Sequence, residues 1–280
     1  MGLEHLRHLR RAGRVLEPGL NPGVVEHGRV PADGALGELV LHQWWVRWKF
    51  GADGPRQRRV LSDPVIHLTF ESGSGPLHGF PTPVALVHGV VPEVFEVTLP
   101  SEGRVTGMAF QPGALATVCG LDARDLTGRV VLAAEIFGDD VERLRDVVVA
   151  EPAESIRREI VADWLAPTGE PGSLGDPAYR LVRRACELVE DSDLTRVEDL
   201  AAAVHVSPRT LQRIFPRLVG VAPLWVIRRR RLQRVAERLD SGEAVNLAQL
   251  ASELGFADQA HLTREFRRVI GRPPAAYRQG

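Results

Sequence analysis

Cysteine is scarce in this 280-residue chain, where Cys119 and Cys186 are the only two. Two scattered thiols exclude a disulfide scaffold and a Cys-rich zinc or iron–sulfur centre, and they suit a reducing compartment. Long apolar runs are missing as well: no stretch of about 18 apolar residues occurs, so no membrane span is expected. The opening residues, MGLEHLRHLRRAGRVL, put charges where a secretory signal needs its apolar segment. These absences lead to the expectation of a cytoplasmic protein with no membrane partner. Lysine is rarer still. Lys49 stands alone and every other basic residue is Arg, which reads as the codon bias of a GC-rich genome rather than as chemistry. Catalytic signatures are also wanting. With no P-loop, no G-x-S-x-G, no paired carboxylates at a helix start and no Cys/His pairing, no catalytic residue, cofactor or enzyme activity is expected.

What is present describes a folded chain. With 44% hydrophobic and 25% charged residues, wholesale disorder is excluded, and the length suffices for two ordinary domains. The net charge of −1 hides an asymmetry. Residues 1–175 carry 17 basic and 23 acidic side chains, whereas residues 176–280 carry 18 and 13. From Leu194 onward the excess is seven positive charges. An acidic half joined to a basic half suggests that the second half alone meets a polyanion.

Pattern divides the chain at the same place. Short β-branched or aromatic runs between Gly/Pro punctuation predict strands over Gly23–Val30, Glu38–Phe50, Pro64–Glu71, Val84–His88, Val94–Leu99 and Arg104–Phe110. So many short strands suggest a sandwich or small barrel. After Pro112 the periodicity turns helical through Ala114–Cys119, Asp125–Ile136, Asp140–Val149 and Ala153–Leu165. Val141, Leu144 and Val148, then Ile156, Ile160 and Trp164, make an apolar stripe on the last two, which suits either packing on the barrel or a dimer seam. APTGEPGSLGD (Ala166–Asp176) is a linker by composition. The expected fold is α+β: a sensing and dimerising domain over 1–175, and an all-α domain over 176–280.

That second domain contains an internal repeat. LAAAVHVSPRTLQRIFPRLVGVAP (Leu200–Pro223) aligns with LASELGFADQAHLTREFRRVIGRPP (Leu250–Pro274), first at an offset of 50 and, after one inserted residue, at 51. Each copy has a short helix opening on Leu-Ala, a turn, and a second helix after Ser207 or Asp258, both good N-caps. Pro208 then occupies the first helical position, where a missing N–H costs nothing. Leu211/Phe215 and Leu262/Phe266 bury one face at i, i+4 spacing. The opposite face carries Arg209, Gln212 and Arg213 in the first copy, and Gln259, His261, Thr263 and Arg264 in the second. Arg, Gln and Thr are side chains that read base edges in the major groove, so each copy reads as a helix-turn-helix, at about 198–220 and 247–271. Between them Pro223–Leu239 predicts one connecting helix, whose four arginines Arg228–Arg231 point in four directions and cannot all face DNA.

The last hundred or so residues closely resemble the DNA-binding domain of the AraC/XylS family of transcription regulators, most specifically in GFADQAHLTREFRRVIGRPPAAYR (Gly255–Arg278). The resemblance implies seven helices, two helix-turn-helix units and the connecting helix. Carried over by position, it marks Arg209, Gln212, Arg213, Gln259, His261 and Arg264 as base-contacting. Candidates for phosphate contact are Ser207, Thr210, Arg217, Arg268 and Arg272. Pro216 departs from an ideal reading helix, because it removes one backbone bond.

The N-terminal half is similar, more weakly, to the β-barrel, cupin-like sensor halves of the same family. Alternation in LHQWWVRWKF puts His42, Trp44, Val46, Trp48 and Phe50 on one face of a strand. Trp44, Trp48, His42 and His67 are therefore candidates to line an effector pocket, or else barrel filling. His42, His67 and His88 all fall in strands, but no H-x-H or acidic ligand accompanies them in motif spacing, and no metal is expected. The expectation is a regulator that binds double-stranded promoter DNA under control of an unknown small-molecule effector, as a homodimer, with RNA polymerase as a further partner. An architectural DNA-binding protein without effector is the alternative.

Overall fold

The computed structural model describes residues 14–15, 25–51, 55–61, 63–166, 174–241 and 245–277. Residues 167–173 of the expected linker, the start of the first expected strand and Arg278 lie outside these. Among its described residues the N-terminal half holds nine strands: β1 (Arg14–Val15), β2 (Val25–Pro31), β3 (Val40–Lys49), β4 (Arg56–Leu61), β5 (His67–Gly73), β6 (Val84–His88), β7 (Phe95–Leu99), β8 (Glu102–Phe110) and β9 (Val130–Leu132). Six form an antiparallel sheet in the order β2-β3-β8-β5-β6-β9, and β1-β4-β7 form a second, smaller one. The sheets stay separate in their hydrogen bonding among the described residues, so the arrangement is cupin-like without closing into a barrel.

Three indoles fix the register of the large sheet. Trp44, Trp45 and Trp48 on β3 stand opposite Gly107, Gly28 and Gly103 respectively. A Cβ added at any of these glycines would lie within 2.3 Å of the facing ring. Each ring thus covers a strand position that has no side chain of its own, an arrangement that pins pairing and shields the backbone. One face of β3 packs Trp48 and Phe50 with Leu77 and Val105 into a small core. The other face is covered by helices, with the Arg158 guanidinium 4.6 Å above the Trp45 ring.

Helices α1 (Gly34–Leu39), α2 (Ala114–Val118), α3 (Ala134–Phe137), α4 (Asp140–Ala150) and α5 (Glu154–Leu165) complete this half. The helix expected over Asp125–Ile136 is instead a 3-10 turn (Ala123–Leu126), strand β9 and α3. Pairing of Val130–Leu132 with the edge of β6 wins over local helical pattern there. On α4 the apolar stripe faces inward: Val141, Leu144 and Val148 are all buried and the helix lies against β5 and β6. A dimer seam through Leu144 and Val148 is thereby overturned.

The described elements of the C-terminal half are all helices: α6 (Pro177–Asp191), α7 (Val197–Ala203), α8 (Pro208–Val219), α9 (Pro223–Asp240), α10 (Leu247–Glu253), α11 (Gln259–Ile270) and α12 (Pro274–Tyr277). The seven helices implied by the resemblance are present. Helix α9, about 27 Å long at 1.5 Å per residue, belongs to two cores. Val226 and Ile227 join a core that runs without a break from the large sheet through α6, α7 and α8. One to three turns later Leu232, Val235, Ala236 and Leu239 form a separate core with α10, α11 and α12.

Candidate nucleic-acid interface

Both helix pairs are built by the same local rules. In the first, Ser207 Oγ accepts the Thr210 backbone N–H at 3.1 Å and Pro208 follows at the first helical position. In the second, Asp258 Oδ1 accepts the His261 N–H at 2.6 Å. Such caps satisfy donors that a helix start otherwise leaves unpaired. The turn ahead of each reading helix needs one left-handed residue. Gly255 supplies it in the second unit at φ 70°, while in the first His205 adopts φ 57° without a glycine's freedom. Leu211, Phe215, Leu262 and Phe266 are completely buried, which turns the opposite face of α8 and of α11 outward.

On those outer faces Arg209, Gln212 and Arg213 are exposed on α8, as are Gln259 and Arg264 on α11. Thr263 and His261 are partly covered. The His261 ring is tied back, with Nδ1 accepting the Ala257 N–H at 3.2 Å and the ring edge-on to Phe256, which leaves Nε2 for an outside partner. Pro216 sits after Arg209, Gln212 and Arg213, and α8 continues to Val219. Of the phosphate candidates, Ser207 and Thr210 hold each other at 2.9 Å beside the cap, and Arg217 is exposed. Arg268 pairs with Glu265 at 3.0 Å, and the Arg272 guanidinium lies 4.8 Å over the Tyr277 ring.

The four-arginine run divides as its geometry requires. Arg228 is exposed. Arg229 is buried, donating to the Glu93 carbonyl at 3.3 Å. Arg230, also buried, lies 3.0 Å from both Glu190 and Glu237, and Arg231 donates to the Leu254 carbonyl at 2.6 Å. Three of the four charges therefore brace the scaffold, and the outward positive face comes from α8, α11 and Arg228.

Contacts between the halves concentrate on the first unit and on α9. Thr127 Oγ1 donates to the Gly220 carbonyl at 2.8 Å, Trp225 Nε1 to Pro92 O at 3.2 Å, and Tyr179 Oη to Glu38 O at 2.7 Å. Arg183 pairs with the Glu38 carboxylate. Gln233 Nε2 donates to Asp63 Oδ1 at 2.7 Å, and burial pushes the Asp63 carboxyl up to about 7 against the opposing pull of Arg29.

Three of the four pocket candidates touch one another, and Trp44 also packs against the small core that holds Trp48. Trp44 Nε1 donates to His67 Nδ1 at 3.1 Å, and His42 lies next to His67 with ring centroids 6.5 Å apart. Burial holds His67 down to about 3 and His42 well below its ordinary value, so both imidazoles are neutral. Trp48 is 1% exposed and donates to Pro100 O at 2.8 Å. An open groove of about 500 Å³ lies elsewhere, lined by Ser74, Pro76, His78, Glu96, Thr98 and Ser101 among others. Beneath it is a cluster the sequence reading missed: Glu71, His78 and His88 place one donor atom each within 4.8 Å of one another. Burial holds His78 down to about 4. Glu71 and His88 lie on paired strands, so strand alternation could have linked them; His78, in a loop, carried no such signal.

Known proteins match the two halves separately. A helix-turn-helix domain family matches residues 200–280, and a domain of unknown function (DUF6597) matches residues 28–132. A protein of Streptomyces lividans named as an AraC-like transcription regulator is 34% identical over 119 residues, 42% of this chain and 36% of its own length. The arabinose operon regulatory protein of Escherichia coli is 32% identical over 114 residues, 39% of this chain and 38% of its own. The match thus spans little more than a third of these relatives. The DNA-binding domain of AdpA, solved in complex with a target DNA, is 36% identical and covers 37% of this chain and 91% of that one, with a TM-score of 0.30.

Proposed function

We infer, from a chain whose residues 200–280 form an AraC-type helix-turn-helix domain, that this protein is a sequence-specific, DNA-binding transcription regulator and not an enzyme. The observation that carries the reading is the pair of outward polar faces, Arg209, Gln212 and Arg213 on α8 and Gln259 and Arg264 on α11. Arg matches guanine and Gln matches adenine in bidentate fashion, and Thr263 suits a thymine methyl. Arg217, Arg268, Arg272, Ser207 and Thr210 at the flanks would set register on phosphate, which supplies most of the affinity. One connecting helix shared by both cores holds the readers at a fixed separation, as two successive major-groove faces about 34 Å apart demand.

The finer reading gives residues 1–175 to effector sensing and dimerisation in the cytoplasm, and residues 176–280 to promoter DNA, with RNA polymerase as a further partner. Docking of the first unit on the N-terminal half supports control by that half. One observation favours effector-independent binding: the Trp44 and Trp48 rings lie packed on Gly107 and Gly103, which engages both indoles in the sheet itself. Capture of genomic fragments by the full chain, sequenced with and without a small-molecule cell extract, separates the two. Enrichment of one motif that shifts with extract supports the regulator with an effector. An unshifted motif supports the alternative, and no motif at all refutes sequence-specific binding.

A further inference from the structure

We propose that Glu71, His78 and His88 form a mononuclear site for a first-row divalent cation, with two imidazoles and one carboxylate as ligands and the remaining position open toward the groove beside His78. The proposal concerns the N-terminal half alone and stands whether or not the chain is a regulator.

Geometry is the first argument. Ligand bonds of about 2.0–2.1 Å in a tetrahedral site put neighbouring donor atoms about 3.3 Å apart. Here Glu71 Oε1 lies 3.0 Å from His88 Nε2, and Glu71 Oε2 lies 3.5 Å from His78 Nε2. All three donors fall within 4.8 Å. Small side-chain rotations therefore suffice to seat an ion.

Burial is the second. The Glu71 side chain is 2% exposed, and its Oε2 is a buried oxygen that accepts no hydrogen bond. A buried carboxylate is costly unless a cation and hydrogen bonds compensate it. Glu71 Oε1 has two hydrogen-bond partners, His88 Nε2 at 3.0 Å and Thr69 Oγ1 at 2.7 Å, and the Thr69 bond is the kind of outer contact that orients a metal-bound carboxylate. Oε2 lacks one, and it is the oxygen that faces His78.

Access and strain supply the third. His78 holds φ 53° in a tight turn closed by the Leu77 and Phe80 backbones at 3.0 and 2.8 Å. A left-handed conformation is strained for a non-glycine residue, and here it points the imidazole back at Glu71. The same residue lines the open groove of about 500 Å³, so a cation and a fourth ligand can enter from solvent. Phe95 packs on both imidazoles, with centroids at 5.3 and 5.8 Å, and forms an apolar wall. Two imidazoles and a carboxylate suit zinc, iron(II), cobalt(II) or nickel(II) better than magnesium or calcium, which prefer all-oxygen sites.

The test uses the full chain, stripped with chelator and desalted, then titrated with Zn²⁺ by calorimetry and with Co²⁺ by visible absorption. One ion per chain and the intense cobalt bands of a four- or five-coordinate site are expected. Loss of an outer contact alone costs metal sites about 10–100-fold in affinity, so Thr69→Val should fall in that range and loss of a ligand should exceed it. His78→Asn is the decisive variant, because Asn tolerates the left-handed backbone and the position reaches the surface, so folding is preserved. It should lower affinity by more than about 100-fold, as should Glu71→Gln where that chain folds. Absence of stoichiometric uptake by the parent chain, or uptake that survives His78→Asn, overturns the proposal. So does uptake lost instead with His67→Ala, which would place the ion elsewhere.

Discussion

Gly220 and Gly271 occupy the same place in the two units, each the left-handed residue that ends a reading helix, at φ 90° and 84°. Alanine at either position forces a Cβ into that region, at a cost of about 1–2 kcal/mol. The surroundings then differ. A Cβ on Gly220 would lie 2.6 Å from Thr127 Oγ1 and 3.0 Å from the Ala123 carbonyl oxygen. One of those obstacles is backbone, and the other is the hydroxyl that donates to Gly220 O at 2.8 Å. The 3-10 turn must therefore shift and a hydrogen bond between the halves is lost. A Cβ on Gly271 meets the Arg59 guanidinium first, 2.1 Å away at its nearest atom, the distal end of a flexible side chain that pairs with Glu96 and can swing aside with it. Gly271→Ala should thus cost about 1–2 kcal/mol from the backbone alone, and Gly220→Ala about 2–4 kcal/mol once overpacking and the lost hydrogen bond are added. Urea denaturation of the full chain, followed by tryptophan fluorescence, measures both. Losses equal within about 0.5 kcal/mol would refute the seating of the first unit on the N-terminal half.

Three further outcomes follow from single side chains. Arg264→Ala should weaken binding to the selected DNA by about 1–3 kcal/mol and relax preference at one base step; an equal loss on random duplex in anisotropy titrations would make Arg264 a phosphate contact instead. Asp63 is raised from 3.8 to about 7 in the folded chain, so the folded state binds the extra proton and its contribution to stability is fully present below about pH 4 and fades as pH rises through 7. Asp63→Asn, which keeps a partner for Gln233, should remove that part of the slope, and an unchanged profile of denaturation midpoint against pH refutes it. His205→Gly should raise stability by up to about 1 kcal/mol, since relief of the left-handed strain outweighs the added freedom of the unfolded chain; a loss measured in the same urea experiment would show that the imidazole contributes more than its backbone costs.

Much of the architecture was legible because its signals are local. The repeat from Leu200 to Pro274 announces itself through caps, i, i+4 pairs and terminal glycines, and the strands β3, β6 and β8 through β-branched and aromatic runs. Strand β4 was not, because RQRRVL looks like solvated loop. Its arginines find a partner only in three dimensions, with Arg56 and Arg58 placed 4.9 and 5.5 Å over the Phe50 ring and the strand held between β1 and β7. Strand β9 was hidden for a related reason, since three residues of RVVLAAEIF pair with a distant edge that local periodicity cannot see. The outward faces of α8 and α11 follow from a 3.6-residue period, which is why their polar residues could be named beforehand. Glu71, His78 and His88 obey no single period. Strand pairing brings two of them together, and a left-handed turn at a histidine brings the third.

The same contrast applies to the division of the chain. Charge and linker composition place a boundary near residue 175, but those signals describe what each half presents to water and to polyanions, not how the halves pack. Packing ignores that boundary. Tyr179, Val182 and Leu218 surround the position where a Cβ would stand at Gly113, and they share one core with Leu68 and Phe110 of the large sheet. The second unit has its own core, which Val94 reaches from the N-terminal half. The two readers are therefore unequally attached. The first is seated on the N-terminal half through Gly220, Pro92 and Glu93, and the second hangs mainly from the last turns of α9. Any displacement of the N-terminal half must act on the first reader directly and on the second through that helix, so the spacing and relative aim of the two readers are the quantities such a displacement would change.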